Sequence, residues 1–276
     1  MSHFQWFPGH MAKALREIKE KQTLADLFII TLDARAPISS YNEEFDYIAP
    51  HKPRLFVITK IDLADKSKLP KIRQRFNSEN AAVIEVNLKK FSSKEKIIKA
   101  AEKLLYEKRI RDLNKGLLKP RLRVFVMGVP NSGKSTLINL VAQAKTKVGN
   151  MPGVTKGQQW IKAGDLQLLD TPGILWPKAS DELIGIKIAI IGSIKFDIIP
   201  PKILFNECYR LVSKYYPEKI IQIGLKPADD EVDIYNSLHK LCEIKKFYLP
   251  NQEHNLDKAM KWFTTYLRDL KGVTYD

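Results

Sequence analysis

The chain has 276 residues, 44% of them hydrophobic and 9% aromatic, enough to bury the core of one large domain or two ordinary ones. Its formal net charge of +15 is unevenly placed: residues 1–180 hold 32 Lys and Arg against 17 Asp and Glu, whereas residues 181–276 hold 14 of each. With only Cys208 and Cys242, a disulfide framework and a cysteine metal cluster are both excluded, and the two read as buried thiols on helices in a reducing compartment.

In chain order, Ala12–Thr23 reads as a helix, Leu27–Leu32 and Leu55–Thr59 as strands, and Leu69–Asn77 as a second helix. Strand Ala82–Val86, helix Lys94–Arg111, strand Val124–Met127 and helix Lys134–Ala142 follow. Two last strands, Gln159–Lys162 and Leu166–Leu169, are joined by Ala163-Gly164-Asp165 as a hairpin that adds an antiparallel edge. Short β-branched runs alternating with helical patterns predict an α/β fold with a mainly parallel sheet. Beyond Pro177 strands disappear, and helical patterns are broken at Pro200-Pro201, Pro217, Lys226-Pro227 and Pro250. In the last helix Ala259, Trp262, Phe263, Tyr266, Leu267 and Leu270 make one apolar stripe, read as core packing. The expected division is a first domain over residues 1–177 and an all-helical domain over residues 178–276. The opening Met1–Phe4 lacks a secretory or organelle leader, and the apolar segment Leu183–Ile194 is interrupted by Lys187 and too short to span a bilayer, so a cytoplasmic setting is expected.

Gly128-Val129-Pro130-Asn131-Ser132-Gly133-Lys134-Ser135 matches the phosphate-loop pattern between an apolar strand and a helix. Its glycines let backbone N–H groups close round a β-phosphate, and the helix N-terminus adds its positive end. Contacts to nucleotide are expected from Asn131, Ser132, Gly133, Lys134, Ser135 and Thr136, with Lys134 reaching the β- and γ-phosphates and Ser135 ligating Mg²⁺. Asp170-Thr171-Pro172-Gly173 ends the next strand; Asp170 suits the Mg²⁺ shell, and Gly173 can turn its N–H toward the γ-phosphate. Between them, Thr155 in Pro152-Gly153-Val154-Thr155 is the candidate switch threonine for both metal and γ-phosphate, an ordinary loop threonine being the plain alternative.

Thr59-Lys60-Ile61-Asp62 closes a strand and resembles the guanine-reading pattern N-K-x-D, with Thr59 where Asn is usual. Asp62 would accept from N1–H and the 2-amino group of guanine; adenine offers neither donor. The Lys60 stem can lie along the base plane. Asn87-Leu88-Lys89, after the following strand, takes the base-capping position, although it lacks the usual Ser-Ala. This guanine motif precedes the phosphate loop, the reverse of the order in most GTPases. The order of motifs therefore predicts a circularly permuted P-loop GTPase domain whose γ-phosphate segment runs straight into the helical region.

With that order, the opening Trp6-Phe7-Pro8-Gly9-His10-Met11-Ala12-Lys13-Ala14 and the segment Leu32-Asp33-Ala34-Arg35-Ala36-Pro37 resemble the ribosome biogenesis GTPase A (YlqF-type) family over nearly the whole chain. The resemblance implies GTP hydrolysis coupled to late assembly of the large ribosomal subunit and stimulated by the ribosome. Ile174 stands where a Ras-type site has its water-orienting Gln. The resemblance implies that His10 substitutes; the alternative is a structural turn with His10 capping the helix from Met11. It also implies that Asn131 supports a K⁺ ion beside the phosphates, the alternative being a loop-stabilising Asn. Expected catalytic residues are thus His10, Lys134, Thr155 and Gly173. The segment Lys89–Arg123 holds 13 basic residues against 4 acidic ones and suggests an RNA-facing surface, with Lys96, Lys99, Lys103 and Arg111 outward and Ile97, Ala101, Leu104 and Leu105 on the sheet. Two other functions stay open: a GTP-dependent RNA-binding switch with incidental hydrolysis, and a GTPase of small-subunit assembly.

Overall fold

The computed structural model describes residues 9–117, 120–143, 159–175 and 182–276. Six strands, β1 (Leu27–Asp33), β2 (Arg54–Thr59), β3 (Ala81–Glu85), β4 (Leu122–Gly128), β5 (Gln159–Ala163) and β6 (Leu166–Asp170), form one sheet in the order β3-β2-β1-β4-β6-β5. Every pairing is parallel except β5 with β6, a hairpin turning at Gly164. Helices α1 (Gly9–Lys21), α2 (Leu69–Phe76), α3 (Ser92–Leu104), α4 (Tyr106–Asn114) and α5 (Lys134–Ala142) accompany it.

β1 is buried along its whole length because helices cover both faces, the condition under which parallel strands carry unbroken apolar runs. Phe28, Ile30 and Leu32 pack with Ala14, Leu15 and Ile18 of α1 and with Leu69, Ile72 and Phe76 of α2. The alternate residues Leu27 and Ile29 pack with Ile97 and Ala101 of α3 and with Leu137, Ile138 and Val141 of α5. The sheet grows outward from β1 in one direction through β2 and β3, and from β4 in the other through β6. Reversal of strand order between β1 and β4 opens a crevice at the carboxyl ends of the strands, where open α/β sheets bind ligands.

The expected single helix Lys94–Arg111 is two. Leu105, at φ −95° and ψ 1°, leaves the helical path between α3 and α4. Its side chain is drawn into the core beside Ile97 and Ala101, and the chain turns to follow it. α4 then takes its own course, with Lys108 paired to Asp26 at 3.5 Å and Arg109 donating to the Pro120 carbonyl at 2.7 Å.

After residue 181 the described chain is helical: α6 (Glu182–Ile190), α7 (Pro201–Tyr215), α8 (Pro217–Ile221), α9 (Glu231–Lys245) and α10 (Leu256–Asp269). Pro201 and Pro217 open α7 and α8 at a position where the missing N–H costs nothing. Asp230 caps α9 by accepting from Val232 and Asp233 N–H, and Asn255 caps α10 through Lys258 N–H. The α10 stripe buries Ala259, Phe263 and Leu267; Phe263 meets Phe205 at 5.1 Å and Tyr209 at 5.4 Å. Cys208 and Cys242 are buried free thiols on α7 and α9. This core is continuous with Met11, Ala36 and Val129, so the helices sit on the ligand edge of the sheet and not beside it. The chain then returns to that edge. Gly272 and Val273 N–H donate to the Leu63 carbonyl, Tyr275 N–H to Arg35, and the Asp276 carboxylate accepts from Ile38 N–H, Ser39 N–H and Lys187.

Candidate functional site

The phosphate loop joins the end of β4 to the start of α5, and its first glycine is irreplaceable on steric grounds. Gly128 has φ +145°, and a Cβ there would lie 2.5 Å from Thr31 Oγ1 and 2.7 Å from the Thr31 carbonyl. Thr31 Oγ1 lies 2.6 Å from Ser132 Oγ, so the middle of the loop is fixed to the central strand. Lys134 is buried and donates to the carbonyls of Gly128 (3.1 Å) and Val129 (2.8 Å), folded back along its own loop. Burial pushes its ammonium down to about 8, opposed by the Asp170 carboxylate and reinforced by Lys60. An arriving anion would favour the charged ammonium and push that pKa back up. Ser135 and Thr136 are half-buried in the first turn of α5.

Asp170 ends β6, next to β4 in the sheet. Its Oδ1 is buried with no hydrogen-bond partner among the described residues, and burial raises its pKa while Lys134 opposes. An unsatisfied buried carboxylate oxygen is costly unless something of opposite charge completes it, and a hard divalent cation suits an oxygen donor. The residues therefore fit Mg²⁺. Gly173 packs so closely on Pro130 that a Cβ would fall 2.7 Å from its Cα and N. The next residue, Ile174, donates its N–H to the Gly128 carbonyl at 3.1 Å and is wholly buried in the core, so its side chain faces no substrate water. Asp170–Gly173 and the phosphate loop are thus brought together.

The guanine motif lies at the end of β2. Thr59 Oγ1 sits 2.8 Å from the Ser132 carbonyl and 3.0 Å from the Leu32 carbonyl, tying the motif to the phosphate loop and the central strand. A hydroxyl thus ties this loop at the position where Asn is usual. Gly133 explains why the three loops can meet: a Cβ on it would lie 3.0 Å from Leu88 Cδ1 and 3.4 Å from Thr59 Cγ2. Asp62 pairs with Lys89 at 3.5 Å, so Asn87-Leu88-Lys89, assigned by position, borders both the Asp62 carboxylate and the phosphate loop. Asn87 Oδ1 shapes that loop by accepting from Lys89 N–H at 2.9 Å. Lys60, at φ +57°, is paired to Asp33 at 2.7 Å.

Asn131, at φ +58°, donates its amide Nδ2 to the Gly192 carbonyl at 2.6 Å, across to the helical region. His10 is the second residue of α1, which begins at Gly9 and not at Met11. Thr155 and its neighbours lie outside the described residues, as does the boundary at Pro177.

Two residues at the site were passed over in the sequence as anything more than a family signature. Asp33, buried at the end of β1, accepts from Arg35 N–H (3.0 Å), Nε (3.0 Å) and Nη2 (2.8 Å), as well as from Lys60. The signal was available: an acid ending an apolar strand is the feature that marked Asp170.

The model of a family described as 50S ribosome-binding GTPase matches residues 123–205, which takes in the phosphate loop and Asp170–Gly173 but not the guanine motif. A ribosome biogenesis GTPase A from Bacillus cereus is 43% identical over 240 residues, 86% of this chain and 81% of the relative. One from Priestia megaterium is 42% identical over 221 residues, 79% of this chain and 77% of the relative. The crystal structure of a GNP-bound YlqF from T. maritima shares the fold at a TM-score of 0.65 and 21% identity, covering 96% of this chain and 97% of that one.

Proposed function

The chain belongs to the ribosome biogenesis GTPase A family, and on that premise we propose that the particle on which it acts is the large (50S) ribosomal subunit, late in its maturation, with hydrolysis stimulated by that particle and by K⁺. GTP binding, GTP hydrolysis and a role in ribosome biogenesis follow from the family itself. Support for the large subunit comes from the description of the matching family model as 50S ribosome-binding. The observation that carries the chemistry is the unpartnered Asp170 oxygen at a strand end that the buried Lys134 reaches electrostatically.

In this reading Ser132, Gly133 and Thr136 surround the phosphates with backbone donors, and Lys134 neutralises charge on the β- and γ-phosphates. Ser135, Thr155 and Asp170 would hold Mg²⁺, which would supply further neutralisation of phosphate charge. Gly173 offers its N–H to the γ-phosphate, and His10 orients the attacking water in the place of the missing Gln. Asn131, whose amide nitrogen donates to the Gly192 carbonyl, is the residue assigned to K⁺. Asp62 reads guanine, Lys60 supports the base, Asn87 and Leu88 flank it, and Thr59 holds the reading loop.

The same reading divides the chain at residues 177 and 178 into a permuted G domain and a helical domain. It places the protein in the cytoplasm; among the described residues no helix is long and apolar enough to cross a membrane. The stretch Lys89–Arg123 faces rRNA, with Lys96, Lys99, Lys103 and Arg111 exposed, although Lys99 is paired with Glu95 at 2.6 Å. GTP turnover should be measured alone, with purified large subunits and with small subunits, in K⁺ and in Na⁺ at matched ionic strength. Stimulation by large subunits and loss of rate in Na⁺ are expected. Equal stimulation by small subunits would move the protein to the other particle, and tight binding without stimulation would make it a switch.

A further inference from the structure

Three consecutive residues at the end of α6 touch both halves of the nucleotide site. The Ile191 carbonyl accepts from Arg35 Nη2 at 3.1 Å, the Gly192 carbonyl accepts from Asn131 Nδ2 at 2.6 Å, and Ser193 Oγ donates to the Pro130 carbonyl at 2.8 Å. Arg35 is the side chain that spans the gap. It is 3% exposed, grips both oxygens of Asp33 through Nε and Nη2, and reaches the Arg268 carbonyl at the end of α10 through Nη1 at 2.7 Å. On its other side Asp33 Oδ2 holds Lys60 Nζ at 2.7 Å. Lys60 needs that hold, because at φ +57° a non-glycine residue sits in a sparsely populated conformation that persists only where its surroundings over-determine it.

We propose that Arg35 is a positioning residue for guanine-nucleotide binding: through Asp33 it sets Lys60, and so presents Asp62, in the base-reading geometry only while the helical region is docked on the sheet. The proposal rests on the reading of Lys60 and Asp62 as the guanine motif. Three features make Arg35 more than a packing element. Its guanidinium offers a planar fork to a carboxylate while keeping further N–H groups for carbonyls, which a lysine cannot do. The carbonyls that complete it come from two different helices of the C-terminal region, one of which also anchors Asn131 and Pro130. And the Asp33 carboxyl stays ionised in full burial: desolvation pushes it up, but Lys60 and Arg35 together hold it well below the usual carboxylate range. Any displacement of α6 or α10 would release Arg35 donors and loosen the carboxylate on which Lys60 depends.

The test is a double-mutant cycle on the full chain, read as GDP affinity and as the KM and kcat of GTP turnover. Arg35→Lys keeps the buried charge and should weaken GDP roughly ten- to hundredfold, the span of a charge-assisted hydrogen bond or two. KM for GTP should rise by a similar factor with kcat within about twofold, since the Arg35 guanidinium is committed to Asp33 and to the Ile191 and Arg268 carbonyls. In a Lys60→Met background the same Arg35→Lys change should cost little, because the path through Lys60 is already cut. If Arg35→Lys does not fold, Asp33→Asn with Arg35→Gln removes both buried charges together and takes its place in the cycle. GDP affinity within about twofold of the parent, or losses that simply multiply in the double variant, would overturn the proposal. Asp62→Asn in the same titration separates the two levels: if it leaves GDP affinity unchanged, the guanine-site reading falls and this proposal with it. If Asp62→Asn weakens GDP and Arg35→Lys does not, only the positioning role falls.

Discussion

The two halves of the nucleotide site are held by different means. The phosphate half is built from backbone: Gly128 in a conformation closed to other residues, and Gly133 at φ +101° entering the helix that follows. Its conformation is set mainly by eight consecutive residues and the strand beneath them, with Gly192, Ser193 and Thr59 adding contacts from farther along the chain. The guanine half is built from side chains anchored far away in sequence. Lys60 depends on Asp33, Asp33 on Arg35, and Arg35 on carbonyls of Ile191 and Arg268. The connection beyond Asp62 is pinned by the returning segment Gly272–Asp276, where Thr274 Oγ1 meets Asp65 N–H at 3.2 Å and the Thr274 carbonyl takes Lys68 Nζ at 2.6 Å. The phosphate loop is therefore the more locally specified of the two, and the proposed guanine half depends more on packing across the whole molecule.

The sharpest way to break this comparison is to remove the proposed base reader. Asp62→Asn removes two charge-assisted acceptors and should weaken GTP by on the order of 10²–10⁴-fold, while xanthine nucleotides gain. Titration with both nucleotides reads it, and unchanged GTP affinity would take Asp62 out of the site. On the phosphate side, Lys134→Ala should lower kcat/KM by roughly 10²–10³, as expected for one preorganised charge-stabilising donor. Turnover above a tenth of wild type would show that the folded-back lysine does not swing to the phosphates. Gly128→Ala tests local specification. The clash with the Thr31 backbone and the positive φ should destabilise the fold by about 2–4 kcal/mol, read by denaturant unfolding, and a change near zero would mean that β1 can yield.

How much of this was legible follows the same division. The phosphate loop, its strand and α5 could be read outright, because a glycine spacing and a helix start are local facts; α5 begins and ends where expected, at Lys134 and Ala142. The strands matched to within two residues at either end, most plainly β1 and β2, whose burial along their whole length favours long apolar runs. The split at Leu105 was not legible, since Leu104-Leu105-Tyr106 contains no helix breaker and the turn comes from tertiary burial of one side chain. Nor was the Arg35 network, whose partners stand 156 and 233 residues away in the chain. Sequence marked Asp33 and Arg35 as a signature, but only the packing of α6 and α10 gives the pair its work.

The smallest predicted effect falls where the halves meet. Thr59 is buried at the end of β2, and its one hydroxyl lies within hydrogen-bond distance of carbonyls from β1 and from the phosphate loop. A hydroxyl has a single proton, so at any moment it donates to one of the two, and the other carbonyl leans on the remaining neighbours. Thr59→Val keeps shape and β-branching and deletes only that donor, which should cost about 1 kcal/mol of stability. Because the lost bond joins the reading loop to Ser132, the same change should weaken GTP by about fivefold, with base preference intact since Asp62 is untouched. Thr59→Ser, which keeps the hydroxyl, should restore most of the affinity. Restoration would assign the effect to the donor and not to the methyl group that lies against Gly133. A Thr59→Val protein that binds GTP as tightly as wild type would mean that the halves are joined through the sheet and Leu88 alone, and the coupling would then have to run by the longer route through Asp33 and Arg35.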